Sequence, residues 1–274
     1  MISVITPVYN GESFIESCIK VVIEQNCSDV EHIIIDGGSQ DKTVEIIQQY
    51  ADQYPHIRWI SEGDQGQSDA MNKGINLAKG EIITILNVDD FYEPNVLNRV
   101  LDIFKTLPEN SFLVGNCQVW NINGNVRFIN KPNKLNLADL LLGWSVYPHP
   151  INPSAYFYHK SLHDEVGLYK IEDHYTMDLD FILRVVQKAK VKYVDEIFGN
   201  YRYIPGTKTF KDRRKGEGKS RFEPLFAIYY QQLSPLEKVQ FMIKNFWLKK
   251  FLSKIKHFLK HPDKLLPYLT RKPN

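Results

Sequence analysis

The stretch His32-Ile33-Ile34-Ile35-Asp36-Gly37-Gly38-Ser39-Gln40-Asp41 indicates the fold of this chain. Its isoleucine triplet is a short β-branched run of the kind that forms a buried strand, and the run ends abruptly in Asp36 and two glycines. The next segment, 43–54, carries apolar residues at helical spacing. A strand, a glycine turn and a helix in this order predict one half of a parallel βαβ unit.

The same alternation continues on both sides of this stretch. Three more apolar runs, at 2–6, 57–61 and 81–86, are each followed by a segment with helical spacing, near 12–25, 68–79 and 94–106. Short continuous apolar runs between helices are typical of a parallel sheet that is covered on both faces. The predicted fold class is therefore α/β, with a doubly wound, mostly parallel sheet.

The pattern changes after residue 110. The pair Asn123-Gly124 lies between two apolar runs and predicts a hairpin turn. Beyond it we predict helices over 135–143, 160–166 and 176–188, and strands over 153–158, 191–194 and 198–203. We predict one domain over 1–220, with halves 1–110 and 111–220, followed by a basic helical extension over 221–274.

The composition is that of a globular protein. With 43% hydrophobic and 24% charged residues among 274, a disordered or collagen-like chain is excluded. Cys18, Cys27 and Cys117 are too few and too scattered for a disulfide framework or a cysteine-rich zinc site, which predicts reduced thiols in a cytoplasmic protein. We identify no signal peptide and no apolar stretch of about 20 residues, so we expect no membrane span.

The charge is unevenly distributed along the chain. Residues 204–274 hold 17 of the 34 Lys and Arg but only 5 of the 32 Asp and Glu, so their net charge is +12 and that of the remainder is −10. A basic tail indicates an anionic partner, which could be nucleic acid, anionic lipid or a phosphorylated ligand. The segment 208–221 lacks interleaved stacking aromatics, so we expect no nucleic acid and favour a diphosphate or lipid headgroups.

Acidic residues follow the predicted strands. Ligands of open α/β sheets bind at the carboxyl ends of the strands, where this chain presents Asp36, Asp64, Asp69, Asp89 and Asp90. Each could cap a helix or form a turn, but together they repel one another unless a cation or a polar ligand is bound. Hard oxygen ligands suit Mg²⁺ or Mn²⁺, which would link the protein to a diphosphate. The first strand is not followed by the G-x-G-x-x-G fingerprint of dinucleotide-binding folds.

Five motifs, in order over residues 1–209, resemble those of family-2 glycosyltransferases with the A-type nucleotide-diphospho-sugar transferase fold. They are Val4-Ile5-Thr6-Pro7-Val8-Tyr9-Asn10, Ile35-Asp36-Gly37-Gly38-Ser39-Gln40-Asp41-Lys42-Thr43, Asp64-Gln65-Gly66-Gln67-Ser68-Asp69-Ala70-Met71-Asn72-Lys73-Gly74, Asn87-Val88-Asp89-Asp90, and Met177-Asp178-Leu179-Asp180-Phe181-Ile182-Leu183-Arg184. The branch with these motifs is, by resemblance, rich in bacterial surface-polysaccharide enzymes.

The resemblance implies an inverting transfer from a nucleotide-diphospho-sugar, with a UDP-sugar favoured, to a saccharide or lipid-linked saccharide acceptor. It implies a Mn²⁺ or Mg²⁺ cofactor held by Asp90 and Asp89, with Asp89 also reaching the ribose. Thr6, Tyr9 and Asp36 would hold the base. The remaining positions implied to bind the nucleotide-sugar are Pro7, Gly37, Asp69, Asn72 and Lys208.

Two positions depart from the family pattern. Asn87 stands where the family often has an aspartate, which predicts weaker metal binding or binding that rests mainly on Asp90. The stretch 201–209 lacks the histidine that often follows the last strand, and Lys208 and Thr209 are candidates to contact the diphosphate instead.

Asp178 is the predicted catalytic base, since an inverting transfer needs one carboxylate to accept the proton of the acceptor hydroxyl. Asp178 and Asp180 are two residues apart on a helix and therefore face different directions. Asp178 lies nearer the helix start and aligns with the base of the family. Asp180 is expected to stabilise the structure, with Arg184 at i+4 as its partner.

The segment 247–260 predicts an amphipathic helix with Leu and Phe on one side and Lys on the other. A purely basic polar face is typical of a helix that lies on an anionic membrane, which would place the protein on the cytoplasmic face of the cell membrane. A domain-capping or dimer helix is the alternative.

Other assignments stay open at this point. The aromatic stretch Trp144, Tyr147, Pro148 and His149 could stack on an acceptor sugar or pack in the core, and His174 could contact the acceptor. A nucleotidyltransferase is one alternative function, although the turn after the first strand has none of the basic residues that it would need. An inactive membrane-docking adaptor is another, and the presence of Asp90 and Asp178 argues against it.

Overall fold

The computed structural model of the chain describes residues 1–144, 146–205, 210 and 218–260, and it describes the backbone alone at 218–220, 249 and 251–260. In this part of the chain, nine strands form a single sheet. The sheet has a parallel half, built from the first ninety residues, and a mixed half, built from the later ones.

The parallel half contains the predicted strand and helix alternation. Its strands are β1 (Ile2–Val8), β2 (Val30–Asp36), β3 (Ile57–Ser61) and β4 (Ile82–Ile85), and its helices are α1 (Ile15–Ile23), α2 (Thr43–Ala51), α3 (Gln67–Leu77) and α4 (Val96–Phe104). The strands lie in the order β3-β2-β1-β4 and all three pairings are parallel. The predicted α/β class is confirmed.

The mixed half extends the sheet beyond β4. It comprises β5 (Phe91–Tyr92), β6 (Ser111–Trp120), β7 (Val126–Asn130), β8 (Tyr156–His159) and β9 (Lys190–Arg202), together with α5 (Leu137–Leu140), α6 (Leu162–Val166) and α7 (Met177–Val185). The order continues β4-β8-β6-β9-β5, and β7 pairs with β6. Among the described strands of this half, β6 and β9 pair in parallel and the other pairings are antiparallel. Most of the parallel pairings therefore lie in the first half of the sheet.

Strand β9 differs from the sequence prediction. Two short strands were expected over 191–194 and 198–203, but the structure has one continuous strand over Lys190–Arg202. Its pairing with β6 shifts register on both sides of Asn116. These irregularities let the strand pass through the polar pair Asp195 and Glu196 without ending, since a bulge takes up extra residues at the cost of a local twist.

Apolar side chains fill both faces of the sheet. Strands β1 and β2 are buried along their whole length, as a continuous apolar run predicts for a central parallel strand. Helices α1 and α4 cover one face, and α3 and α7 cover the other. Because both faces are closed, the carboxyl ends of the strands are the edge at which a polar ligand can reach the sheet.

Two further helices follow the sheet, α8 (Gly218–Gln232) and α9 (Pro235–Lys260). Leu225, Tyr229 and Leu233 of this region are buried in the same apolar cluster as α3 and α7. Lys244 of α9 forms an ion pair of 2.5 Å with Asp139 of α5. The domain boundary at 220/221 stays a prediction, and α8 packs on the main core. None of the helices in the described ranges has the length and apolar character needed to cross a bilayer.

Candidate functional site

The loops that follow β1 and β2 are joined by hydrogen bonds at the carboxyl edge of the sheet. The amide N–H of Asn10 donates to the Ser39 hydroxyl at 2.7 Å, and the Asn10 side-chain oxygen accepts from the N–H of Gln40 at 2.8 Å. The N–H of Gly11 donates to the hydroxyl of Thr43 at 2.8 Å. The two loops therefore form one rigid unit.

Asp36 organises the second of these loops. Its buried carboxylate accepts hydrogen bonds from the N–H groups of Gly38 and Ser39, both at 3.0 Å, from the Ser61 hydroxyl at 2.6 Å and from the Ser39 hydroxyl. A carboxylate has about four acceptor sites. Oδ2 accepts three of these hydrogen bonds and Oδ1 accepts one, so Oδ1 keeps an acceptor site, and the predicted contact with a base stays a prediction.

Gly37 lies where the loops after β2 and β3 meet. A Cβ atom at this position would lie 2.4 Å from Oδ2 of Asp64, a distance at which something must move. Asp64 is itself fixed, because its other oxygen accepts from the N–H of Gly66 at 2.8 Å. A side chain at position 37 would therefore meet a carboxylate that is held in place, and the predicted contact of Gly37 with the nucleotide-sugar stays a prediction.

The side chain of Thr6 is buried near the carboxyl end of β1, where it contacts Nε2 of His32 at 2.9 Å and Sγ of Cys18 at 3.7 Å. Its predicted contact with the base stays a prediction. Pro7 is also buried, within β1. Tyr9, by contrast, is 62% exposed at the rim and is available to stack on a base.

Asp90 lies beneath the carboxyl end of β4. It is 3% exposed, and its Oδ2 accepts from the side-chain amides of Asn87 at 2.9 Å and Asn152 at 2.6 Å. Its Oδ1 accepts from the backbone N–H of Arg202 at 3.3 Å. Both oxygens therefore accept hydrogen bonds from the protein, and the prediction that Asp90 holds the metal stays a prediction.

Asp89 is the more accessible of the two carboxylates. Burial raises its pKa, while a backbone hydrogen bond and the positive charge of Arg202 lower it. Burial raises the pKa of Asp90 well above its usual range, and the charge of Asp89 raises it further. Two adjacent carboxylates with little solvent form a place where a cation would be stabilised.

Asn152 and Arg202 are site residues that the sequence analysis did not identify. Strand β5, directly after Asp90, pairs with the end of β9, and Phe91 lies opposite Asn200. This pairing brings the guanidinium of Arg202 over the ring of Phe91, at 4.6 Å from its centre. The only signal in the sequence was indirect, since Arg202 lies in the stretch that lacks the expected histidine.

The N-terminus of α3 connects the Asp89–Asp90 turn to helix α7. Gln67 donates from its side chain to Oδ1 of Asn87 at 2.9 Å, and the hydroxyl of the adjacent Ser68 contacts the sulfur of Met177 at 2.9 Å. Asp178 follows Met177 in the first turn of α7. Two neighbouring residues of α3 thus contact both the β4 turn and the first turn of the helix that carries the predicted base.

Two other residues of α3 stabilise the fold in this structure. Asn72 is buried and makes a pair of hydrogen bonds with the backbone of Tyr169, at 2.8 and 2.9 Å, and its predicted contact with the nucleotide-sugar stays a prediction. Asp69 accepts from the N–H of Gln65 at 3.1 Å and lies 3.5 Å from Nζ of Lys73. Its predicted contact with the donor stays a prediction.

Helix α7 separates Asp178 from Asp180 as predicted. Asp180 is 1% exposed and forms ion pairs with Lys170 at 2.7 Å and Arg184 at 2.8 Å. The expected pairing with Arg184 is confirmed. Asp178 is half-buried beside the sheet; burial raises the pKa of the Tyr156 hydroxyl, and the charge of Asp178 raises it further.

Two of the aromatic candidates contact each other. Trp144 is 41% exposed, and its ring meets that of His149 edge-on at 5.0 Å. His174 lies beside Gly66 at the start of α3. Lys208 and Thr209 lie outside the described residues.

A divalent cation would find one accessible carboxylate here. Among the described residues, the structure gathers no group of three or more His, Cys, Asp or Glu side chains suited to a metal ion. Mg²⁺ is commonly bound through one or two carboxylates plus the phosphates of a substrate. The geometry at Asp89, with Asp90 fixed behind it, fits an ion that binds together with a diphosphate.

Comparisons with known proteins agree with this geometry. Residues 3–163, more than half of the chain, match the sequence profile of "Glycosyl transferase family 2". The chain is 28% identical over 219 residues to the uncharacterized glycosyltransferase EpsJ of Bacillus subtilis, an alignment that covers 76% of this chain and 63% of EpsJ. This chain thus spans less than two thirds of the length of EpsJ, and still less of some other curated relatives.

Solved structures share the fold. TarS 1–349 of S. aureus in complex with UDP-GlcNAc has a TM-score of 0.69 at 16% identity, covering 89% of this chain and 71% of that one. The mannosyltransferase PcManGT of Pyrobaculum calidifontis, in complex with GDP-Man and Mn²⁺, has a TM-score of 0.57 at 17% identity, covering 78% of this chain and 60% of that one.

Proposed function

The chain belongs to glycosyl transferase family 2, and from that premise we propose that it transfers a sugar from a nucleotide-diphospho-sugar to an acceptor hydroxyl with inversion at the anomeric carbon. The observation that carries the proposal is that the adjacent residues Gln67 and Ser68 bond to Asn87, in the turn of Asp89 and Asp90, and to Met177, which precedes Asp178. The β4 turn supplies the carboxylates of Asp89 and Asp90, with the cation Arg202 beside them, and these groups suit a leaving diphosphate. Helix α7 supplies the carboxylate of Asp178, which is suited to act as base.

Asp178 is the proposed base. As the acceptor oxygen bonds to C1 of the donor sugar, its proton passes to the Asp178 carboxylate and the C1–O bond to the nucleoside diphosphate breaks, with the electron pair leaving on the diphosphate. Attack from the face opposite the leaving group inverts the configuration. General base catalysis of this kind contributes about 10²–10⁴-fold to the rate.

At the donor end, Asp89 would hold a divalent ion, which neutralises the charge of the departing diphosphate when it is bound. Mn²⁺ in the PcManGT complex supports this choice of ion. Asp90 keeps the turn in place through Asn87, Asn152 and the backbone of Arg202. Arg202 supplies a fixed positive charge beside Asp89, in the region where the family often has a histidine.

We infer a UDP-sugar as the favoured donor, with Tyr9 stacking on the base. The UDP-GlcNAc complex of TarS supports this choice, because that protein has the same fold over most of this chain. The acceptor is a saccharide or lipid-linked saccharide, and surface-polysaccharide synthesis is the proposed setting.

The decisive experiment is a thermal-shift panel of UDP-, GDP- and dTDP-sugars with and without Mn²⁺. We expect a UDP-sugar to stabilise the protein more with Mn²⁺ than without it, and nuclear magnetic resonance of the product to show the inverted anomer. Asp89→Asn should lose the Mn²⁺-dependent part of the shift, whereas Asp90→Asn should lower the melting temperature of the ligand-free protein as well. Absence of stabilisation by every nucleotide-sugar would overturn the proposal.

We also propose that α9 attaches the enzyme to an anionic membrane surface on the cytoplasmic side. In the structure, α9 has apolar side chains on two sides, one that faces the domain and one that faces away from it. Phe241 and Lys244 face the domain, where Phe241 meets the ring of Tyr230 at 5.1 Å. The outer stripe is 46–67% exposed and consists of Leu236, Val239, Met242, Ile243, Phe246 and Trp247.

Charge favours a bilayer as the partner of this outer stripe. No acidic residue occurs between Lys238 and His261, whereas lysines occur at 238, 244, 249, 250, 254, 256 and 260. A symmetric dimer through the stripe would bring these lysines together, while an anionic leaflet attracts each of them by about 1 kcal/mol. Leu, Phe and Trp beside lysine are the composition of interfacial helices.

Liposome flotation tests the membrane proposal. Exchange of both Phe246 and Trp247 for Glu should abolish binding to vesicles of phosphatidylglycerol, and 0.5 M salt should weaken binding of the unchanged protein. Both side chains are exposed, so the domain should remain folded. Ile228→Glu, an exposed position on α8, is the control. Equal flotation of the double variant and the unchanged protein would overturn the proposal.

A further inference from the structure

A cavity of about 380 Å³ opens between α8, α9 and the end of α5, and neither Asp89 nor Asp178 lines it. Its walls are mainly aromatic rings and aliphatic groups. The lining residues are Leu141, Glu223, Phe226, Ala227, Tyr230, Gln231 and Phe241. A cavity with so few polar groups suits an apolar ligand.

Helix α8 connects this cavity to the catalytic helix. The hydroxyl of Tyr229 donates to Oδ1 of Asp180 at 2.9 Å, so α8 packs directly against α7. At its first turns, the guanidinium of Arg221 lies over the ring of Tyr175, 3.6 Å from its centre, just before α7 begins. Arg221 thus marks the catalytic end of α8, and Tyr230 lies about 14 Å further along the helix at 1.5 Å per residue.

A series of ring contacts connects Trp144 to the cavity. His149 meets Trp144 at 5.0 Å and Phe222 at 6.2 Å, and Phe222 stacks on Phe226 at 6.4 Å. Phe226 is a wall of the cavity. Successive ring contacts therefore link the exposed Trp144 to the space between α8 and α9.

We propose that this cavity binds the apolar chain of a lipid-linked acceptor, whose phosphate lies at Arg221 and whose sugar lies at Asp178. The proposal rests on the glycosyl transfer proposed above and names the acceptor class. The order along α8, with a cation near the catalytic helix and aromatic walls beyond it, matches the order of sugar, phosphate and chain in such a molecule. The outer stripe of α9 would bring the cavity to the bilayer in which that chain resides.

Photolabelling tests the cavity with a defined probe. The probe is hexadecyl phosphate with a diazirine on its chain, and labelled peptides are mapped by mass spectrometry. We expect labels within 223–231 and at 241. Ala227→Trp places a large ring at the mouth of the cavity and should reduce labelling at least tenfold. Ile228→Trp is the matched control, since Ile228 is the next residue on α8, is 59% exposed and does not line the cavity.

Arg221→Gln separates the phosphate from the chain. This variant should reduce labelling by hexadecyl phosphate severalfold and leave labelling by the uncharged hexadecanol analogue unchanged. Equal labelling of Ala227→Trp and the unchanged protein, or labels found only on the outer stripe of α9, would overturn the proposal. So would a change from dimer to monomer on introducing Ala227→Trp, because a second copy would then be the occupant.

The donor assay distinguishes a failure here from a failure of the proposed function. Ala227 is remote from Asp89, so Ala227→Trp should keep the thermal shift caused by the UDP-sugar. If that shift is present while labelling of the cavity fails, only the acceptor site is wrong. If the unchanged protein shows no shift with any nucleotide-sugar, glycosyl transfer itself is wrong, whatever the photolabelling shows.

Discussion

Exchanging Asp178 and Asp180 separately for Asn should separate catalysis from stability on one helix. Asp180 is 1% exposed, pairs with Arg184 and Lys170, and accepts from Tyr229. Removing one member of a buried ion pair costs about 3–5 kcal/mol. Lys170 is 55% exposed and contributes little.

The other contacts of Arg184 place the expected loss of stability at the lower end of the range of about 3–5 kcal/mol. Its guanidinium also donates to the backbone carbonyls of Val166, Gly167 and Leu168, so it keeps partners when the charge of Asp180 is removed. We therefore expect Asp180→Asn to cost about 3 kcal/mol. At roughly 2–4 °C per kcal/mol for a chain of this size, the melting temperature should fall by about 6–12 °C.

For Asp178→Asn we expect the opposite result, a loss of turnover with little change in stability. It removes a negative charge from the first turn of α7, where the helix dipole favours it by about 0.3–1 kcal/mol, so the melting temperature should change little. Turnover should fall by about 10²–10⁴-fold, because the acceptor hydroxyl loses its base. Donor binding in the thermal-shift assay should be retained.

The measurements are thermal unfolding by circular dichroism and release of nucleoside diphosphate at saturating donor. The assignment is refuted if Asp178→Asn turns over near the normal rate, or if Asp180→Asn abolishes turnover while it melts like the unchanged protein. Asp180→Asn should keep a substantial share of its activity at temperatures well below its melting point.

Three further predictions concern residues outside the catalytic pair. Burial lowers the pKa of His32 to about 3, whereas its pKa in the unfolded chain is near 6.5, so protonation favours the unfolded chain. The contribution of His32 to the free energy of unfolding should be constant above pH 6.5 and should become unfavourable by about 2 kcal/mol at pH 5. In chemical unfolding, the stability of His32→Gln should therefore depend less steeply on pH between 6.5 and 3. Gly74→Ala should destabilise the protein by about 1–3 kcal/mol in the same measurement, because the new Cβ would lie 2.3 Å from a methyl group of Ile5, whereas Gly63→Ala, with nothing within 4 Å, should be nearly neutral. Asn72→Ala should lower the free energy of unfolding by about 2 kcal/mol and leave the KM for the donor within about threefold of that of the unchanged protein. A large rise in KM without loss of stability would instead favour its predicted role in donor binding.

The parallel half of the fold was predictable because its signals are local. A short β-branched run bounded by glycines, such as Ile33–Ile35 before Gly37, favours a strand buried on both faces, and the helical spacing that follows it indicates the connection. The acidic residues at the strand ends were predictable for the same reason. The alternation of Asp178 and Asp180 on α7 was also readable, since two residues on a helix are about 200° apart.

What only the tertiary structure decided is which oxygens and rings remain available to a ligand. Thr6, Asn72 and Asp90 carry suitable chemistry, but His32, Tyr169 and Asn152 engage them in the folded chain. Asn152 and Arg202 reach Asp90 through pairings between distant segments, which no local pattern in the sequence reports. Side-chain periodicity determines which face a residue occupies within its own element, whereas the partner on that face depends on how the elements pack. The sequence by itself therefore determined the class of fold and the sheet edge at which a ligand binds, and the packing of the later strands and helices decided which carboxylates at that edge are available for chemistry.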